Sequence, residues 1–330
     1  MKQMIVVANH KEFNALRLGL RVAHALQAGG RPVVLGGVKG KIPANAGVET
    51  VCFAASATAK TLAAAFKKAG VKRIISLASL PACEAAALAK LPYIYVEPEN
   101  FKEEKAVKNK KAILQKAKKV LVLGNNTQAL NKKMYGANAL RVKNPAVWVE
   151  HFSGLRPACF KKANNLVAEG KLIKGSGMDS LLAAWAVLAP LHPTWHLTIL
   201  GEGPQKTALK KLITKYHLQE SVEFVAPGND AAALLGHADI YLHPSAESAE
   251  QVLDALASKL PVVAADSLLM RDLIEPSENG YLVAAGDSKA WQAALDELMV
   301  SWPLRVGLAL QAVKMRDRFP LEVFVSFFED

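Results

Sequence analysis

Short, unbroken apolar runs recur along the chain, separated by stretches in which apolar positions return every three or four residues. In the first half the runs fall at Met4–Ala8, Pro32–Leu35, Thr50–Phe53, Arg73–Leu77, Tyr93–Val96, Val120–Leu123 and Leu140–Val142. They are continuous rather than alternating, as expected of strands buried on both faces of a parallel sheet. The intervening periodicity predicts helices over Phe13–Ala28, Ala57–Ala69, Pro81–Lys90 and Lys102–Lys118. A second series begins near Asn165, with strands at Leu166–Glu169, His196–Leu200, Val222–Val225, Ile240–Leu242, Pro261–Ala264 and Tyr281–Val283. Its helices cover Asp179–Ala189, Pro204–Tyr216 and Glu250–Ser258. Strand and helix in alternation predict an α/β protein of doubly wound sheets. A chain of 330 residues exceeds the usual single core, so two domains are expected. The stretch 144–164, weakly periodic and holding Pro145, Gly154 and Pro157, is the expected hinge.

Composition narrows the class. About half the residues are hydrophobic (51%) and mean hydropathy is +0.14, enough for two cores. No apolar run reaches the ~18 residues of a spanning helix. The opening MKQMIVVANH reads as a first strand, not a signal peptide. Three cysteines (Cys52, Cys83 and Cys159), odd in number and far apart, argue against a disulfide framework or a zinc site and for a reducing cytoplasm. The net charge of +12 is unevenly spread: residues 1–152 carry +17 and residues 153–330 carry −5. An anionic partner for the first half follows. Eight lysines between 102 and 119 form either a solvated helix face or a patch drawn to an anionic membrane surface. Nucleic acid is disfavoured, because few aromatics interleave with the lysines and no binding module is visible.

The stretch from Ala238 to Asp266, ADIYLHPSAESAEQVLDALASKLPVVAAD, is the most informative. It reads as a strand, a loop with Glu247, a helix with Asp254, and a second strand. An acid in mid-helix is ordinarily on the solvated face, and an acid before a helix is ordinarily a cap. Here they sit at a sheet edge, where a carboxylate suits a ribose diol and a helix N-terminus at Ser248–Gln251 suits a diphosphate.

Five patterns agree in order with one family: Ala168-Glu169-Gly170-Lys171-Leu172, HLTILGEGP at 196–204, Val222-Glu223-Phe224, the 238–254 stretch, and Asn279-Gly280-Tyr281-Leu282-Val283 before Gly286-Asp287. With Asn144-Pro145-Ala146 through Phe152, the chain resembles the retaining glycosyltransferases of the GT-B fold, family 4-like (glycosyl transferases group 1). The resemblance implies two Rossmann-like domains facing a cleft. Residues 1–150 would be the acceptor side, residues 151–318 would bind the nucleotide sugar, and a last helix, 319–330, would pack back on the first domain.

It also implies roles. Glu247 would be catalytic, offsetting charge in an oxocarbenium-like transition state, and Lys171 and Lys174 would neutralise the leaving diphosphate. Nucleotide-sugar contacts would come from Asp254, Ser248, Ala249, Glu250, Gly201, Gly203, Ala226, His243 and His10. Glu97 would lie on the acceptor side. No cofactor or metal is expected beyond a UDP-sugar donor, glucose being the commoner sugar, with a glycan, glycoprotein or lipid acceptor. The implied location is the cytoplasm, with contact at the inner membrane face and a homo-oligomer among the open alternatives.

The chain departs from the family in several places, with Glu97 for a strand-end His, Lys171 for Arg and Asp254 for Glu among them. The two acids are one residue closer together than usual, Ser248-Ala249-Glu250 replaces a glycine-bearing triplet, Ser176-Gly177 replaces Lys-Gly, and Asn9 to Asn14 replaces a glycine-rich first loop. A degenerate relative that binds glycans or a partner enzyme without catalysis is therefore the alternative.

Overall fold

The computed structural model describes residues 1–7, 13–38, 47–54, 56–77, 79–97, 110–123, 139–142, 163–226, 231–245 and 250–328. The chain forms two compact units, Met1–Asn144 with Leu321–Asp330, and Pro145–Pro320.

The N-terminal unit holds a parallel sheet of β1 (Gln3–Val7), β2 (Val33–Val38), β3 (Glu49–Phe53), β4 (Arg73–Leu77), β5 (Tyr93–Glu97), β6 (Lys119–Leu123) and β7 (Ala139–Val142), in the order β3-β2-β1-β4-β5-β6-β7. Helices α1 (Phe13–Ala28), α2 (Ala59–Lys68), α3 (Leu80–Leu88) and α4 (Lys110–Gln115) connect them. Local chemistry sets the helix starts. Thr58 and Thr61 form a reciprocal capping box at α2, and the Ser79 hydroxyl accepts from the Ala82 N–H at α3, with Pro81 in the first turn. The helix expected over Lys102–Lys118 is described only as α4. It closes in a tight turn, with Lys116 N–H to Ile113 O and Ala117 N–H to Leu114 O, that feeds β6.

The C-terminal ten residues belong to this unit. Their helix, Leu321–Ser326, packs on α1. Arg73 Nη1 donates to Phe328 O at 2.5 Å and Lys119 Nζ to Phe327 O at 3.2 Å. Two cations thus sit where the helix presents unpaired carbonyls, the end its dipole makes negative.

The C-terminal unit repeats the plan with β8 (Asn165–Glu169), β9 (His196–Leu200), β10 (Val222–Val225), β11 (Ile240–His243), β12 (Val262–Ala265) and β13 (Gly280–Val283), all parallel, in the order β10-β9-β8-β11-β12-β13. Its helices are α5 (Met178–Leu188), α6 (Lys206–Lys215), α7 (Ala231–His237), α8 (Glu250–Ala257), α9 (Leu268–Arg271), α10 (Ser288–Val300), α11 (Trp302–Ala312) and α12 (Met315–Arg318), and the helix at Leu321–Ser326 is α13. The unbroken apolar runs are explained by two cores. Leu166, Ala168, Ile240 and Leu242 pack on one face with Leu181, Trp185 and Leu295, while Val167 and Tyr241 pack on the other with Val252, Leu253 and Leu256. The central strand β11 is buried at every position, and β8 at all but its first. Pro261, expected to open β12, lies just outside it. Lacking an N–H, it contributes only its carbonyl, which accepts from Tyr241 N–H at 3.0 Å. Among the described residues no helix is long and apolar enough to cross a membrane.

Candidate functional site

In the C-terminal sheet β8 lies between β9 and β11. The helix after β8, α5, joins one core, and the helix after β11, α8, joins the other. The two loops therefore leave the sheet toward opposite faces, and a crevice opens at the strands' carboxyl ends. Such switch points are where open α/β sheets bind ligands.

Backbone packing builds this edge. Leu172 N–H donates to Glu202 O, and Leu172 O accepts from Gln205 N–H, so the turns after β8 and β9 are zipped together. A methyl group at Gly201 would run into Gly170 O, and one at Gly203 into Leu172 O. The loop after β8 ends at Gly177, the N-cap of α5, with φ of 75°. A methyl there would meet Pro244 O, so this position needs glycine both for its left-handed backbone and for the approach of the loop after β11.

Around that edge lie several of the residues the sequence reading singled out. Lys171 and Lys174 are exposed on the first loop. Gly201 and Gly203 lie on the second, where their missing side chains serve loop packing. Ala226 is exposed just past β10, at the sheet's margin. His243 ends β11 and is 1% exposed. Glu250 and Asp254 lie on α8 at 8% and 0% exposure.

Asp254 therefore does not occupy a solvated helix face: all eight residues of α8 are buried. Burying a carboxylate costs several kcal/mol unless it is paired or hydrogen-bonded, so Asp254 is not the surface accident that an acid in an amphipathic helix usually is. Glu247, Ser248, Ala249 and His10 lie outside the described residues. Glu97 ends β5 in the other unit, and its side chain is likewise outside them.

Two further residues, to which the sequence assigned no role, stand at this edge. Glu169, 2% exposed, is the last residue of β8, and Tyr241, fully buried, donates its hydroxyl to Glu169 Oε2 at 3.2 Å. The Tyr241 ring lies nearly parallel to the His243 imidazole, 13° apart with centroids 6.3 Å distant. The available signal was an acid closing an otherwise uncharged strand, NLVAE. At the neighbouring strand end, Asp266 pairs with Arg271 through two hydrogen bonds of 2.7 and 2.6 Å, which holds its carboxyl below the ordinary range. No cluster of three or more metal-ligating side chains occurs among the described residues.

A cavity of 680 Å³ lies elsewhere, lined by Asn165, His196, Thr198, Val222, Glu223 and His237 among others. Asn165, His196 and Val222 are the first residues of their strands. The cavity is thus at the amino edge, opposite the loops that switch faces, and topology favours the carboxyl edge as the site.

The profile of one family, glycosyl transferases group 1, matches residues 156–315. An uncharacterized glycosyltransferase of Haemophilus influenzae is 29% identical over 164 residues, covering 49% of this chain and 46% of that protein. The amylovoran biosynthesis glycosyltransferase AmsD of Erwinia amylovora is 30% identical over 174 residues, covering 52% and 48%. The alignments thus span about half the length of these relatives or less. Among solved structures, HepE of Anabaena in complex with UDP and glucose superposes with a TM-score of 0.73 over 100% of this chain and 98% of that one, at 17% identity. A glycosyltransferase from Rickettsia africae gives 0.72 over 98% and 96%, also at 17%. These structures are GT-B glycosyltransferases. The chain has the GT-B fold, and its residues 156–315 match the glycosyl transferases group 1 family.

Proposed function

We propose that the protein is a glycosyltransferase of glycan or polysaccharide biosynthesis, moving a hexose from a UDP-sugar with retention of configuration. The observation that carries this reading is the carboxyl edge of β8 and β11, where the loop after β8 holds the exposed Lys171 and Lys174 and the helix after β11 holds the buried Glu250 and Asp254. Asp254 accepts from the ribose hydroxyls, and the amino end of the helix with the two lysines receives the diphosphate. Glu247 stands beside the sugar and offsets positive charge as the bond to the diphosphate breaks. The choice of UDP and glucose is supported by the HepE complex with those ligands. The acceptor, a protein-linked glycan or a membrane lipid, meets the basic N-terminal unit, whose lysines also draw the protein to the inner membrane face. No metal takes part, its charge being replaced by helix terminus and lysines.

The test is thermal melting with UDP, UDP-glucose and UDP-N-acetylglucosamine, followed by turnover of a labelled nucleotide-sugar panel. A rise in melting temperature with UDP and with one UDP-sugar is expected. No shift with any of them would sink the reading. Glu247→Ala should abolish transfer at nearly unchanged melting temperature.

A second reading has its own observation. Ser176-Gly177 stands where the family resemblance implies Lys-Gly, and Ser176 is buried at 6% exposure. A non-catalytic, glycan- or partner-binding subunit would bind UDP or glycan without turnover in the same panel.

A further inference from the structure

Glu169 is an expensive residue where it stands. A carboxylate at 2% exposure gives up hydration worth several kcal/mol, and a well-packed apolar residue at such a strand end would fold at least as well. The tyrosine that meets it is equally unnecessary to the sheet, since phenylalanine fills the same volume without a hydroxyl to satisfy.

The register shows what the pair does. Tyr241 pairs with Val167 and Leu242 with Ala168. Residues two apart share a face, so Tyr241, His243 and Glu169 all point to the layer covered by α8, where Val167 and Tyr241 pack against Val252, Leu253 and Leu256. From its place opposite Val167, Tyr241 reaches along the sheet to Glu169 Oε2 at 3.2 Å. Its ring then lies flat beside the His243 imidazole. His243 is followed directly by Pro244, buried and with its carbonyl against Gly177, and then by the loop that carries Glu247.

We infer that Glu169 and Tyr241 are positioning residues: their hydrogen bond fixes the Tyr241 ring, and the ring fixes the His243 imidazole at the root of the donor-binding loop. This rests on the glycosyl-transfer reading above. Neither residue touches the donor. A displacement near 1 Å at a catalytic loop costs up to about a hundredfold in rate, which is the scale such a brace can govern.

The experiment uses the full chain with UDP-glucose, or whichever nucleotide sugar the panel shows to turn over, and four variants: Tyr241→Phe, Glu169→Ala, Glu169→Gln and the Glu169→Ala/Tyr241→Phe double variant. Tyr241→Phe and Glu169→Ala are each expected to lower kcat roughly ten- to a hundredfold with donor KM within about threefold. The double variant should be no slower than the slower single one, as for groups acting in one unit. Glu169→Gln keeps an oxygen that accepts the tyrosine proton and should stay within about threefold of wild type. In protein labelled with ¹³C-histidine, the His243 imidazole resonance, assigned by its loss in His243→Ala, should move in Tyr241→Phe and Glu169→Ala and stay put in Glu169→Gln.

Lower melting temperatures with unchanged kcat and an unmoved resonance would make the pair a mere structural brace and overturn the proposal. Loss in Glu169→Gln equal to that in Glu169→Ala would overturn it too, by showing that charge rather than the hydrogen bond matters. If the wild type turns over no nucleotide sugar, the glycosyl-transfer reading falls, and the imidazole resonance still decides the positioning. An unmoved resonance then overturns it.

Discussion

The first six strands of the N-terminal sheet follow the order of the C-terminal sheet, and each sheet keeps a buried charge at its amino edge. In the N-terminal unit, Arg73 opens β4 and donates to a backbone carbonyl, Phe328 O. In the C-terminal unit, Asp239 just before β11 does the equivalent, its Oδ2 accepting from Asn165 N–H at 2.9 Å. These amino-edge charges pin chain to chain. At the carboxyl edge of the second sheet the charge meets a side chain instead: Glu169 accepts from Tyr241, whose ring lies parallel to the buried His243 imidazole. Topology makes both sheets capable of holding a ligand. The polar groups kept buried at the carboxyl edge support the donor site proposed there.

The sharpest way to break the comparison is through the glycines. In Gly177→Val the new side chain faces a backbone carbonyl, Pro244 O, at a left-handed position, so the loss should exceed about 3 kcal/mol. Gly19→Ala in α1 meets only side-chain atoms, Val7 Cγ2 at 2.7 Å and Leu77 Cδ1 at 3.2 Å, which can shift at a cost of about 1–3 kcal/mol. Urea unfolding ranks the two. A larger loss for Gly19→Ala would mean the loop contact at Pro244 is not rigid.

Core truncations come next, and the chain supplies a reporter for each unit. All five tryptophans, Trp148, Trp185, Trp195, Trp291 and Trp302, belong to residues 145–320. Cys83 is fully buried in the N-terminal unit, and burial pushes its thiol up to about 12, so it reacts only when that unit opens. Leu62→Ala and Leu256→Ala, both at fully buried sites, should each cost about 2–5 kcal/mol. Leu62→Ala is expected to speed thiol labelling of Cys83 ahead of any change in tryptophan emission, and Leu256→Ala to do the reverse. The exposed Cys52 labels at once in every variant and serves as the internal standard.

Strand positions and parallel order were legible because burial on both faces leaves unbroken apolar runs, and the helix at 250–257 was legible from its 3.6 period. Helices α7 and α9 to α12 were not expected from the sequence. Ser288–Val300 is capped by Asp287, whose carboxylate accepts from the Lys289 and Ala290 N–H groups, a signal local enough to have been read. Asp254 was legible as a candidate but not as a buried one, since an acid in an amphipathic helix looks the same on either face. Glu169 was passed over because its partner is 72 residues away, and only strand register brings the two together. His243 was noted as a strand end, but its parallel ring contact with Tyr241 depends on both side chains choosing one face.

A smaller effect separates the buried amino-edge acid from the exposed pair at the carboxyl edge. Burial raises the Asp239 carboxyl above its ordinary 3.8, outweighing the Asn165 N–H and the positive charge of Arg305. A raised folded-state pKa favours the protonated form. The stability it contributes is complete below 3.8 and is lost as pH rises through the folded value. Asp239→Asn keeps an oxygen acceptor and removes that loss, so its melting temperature relative to wild type should climb as pH rises from 3 toward 7. A relative melting temperature that falls over that range would mean the attraction of Arg305 outweighs burial.

The exposed pair Asp266–Arg271 should show the opposite sign and the smallest amplitude. Its two hydrogen bonds lower the Asp266 carboxyl below 3.8 and raise Arg271. The stability of a lowered acid is present above the unfolded value and lost as pH falls through the folded one. Arg271→Ala should therefore melt slightly below wild type at pH 7, and the gap should close as pH drops under 3.8. Because both groups face water, added salt should shrink the gap at neutral pH. The pair ties the end of α9 to the end of β12 on the same edge as the proposed donor site, yet at the surface it should matter less than any buried residue discussed above. A gap that survived both acid and salt would mean that Arg271 acts by packing its stem rather than by charge, and would remove the contrast with Asp239.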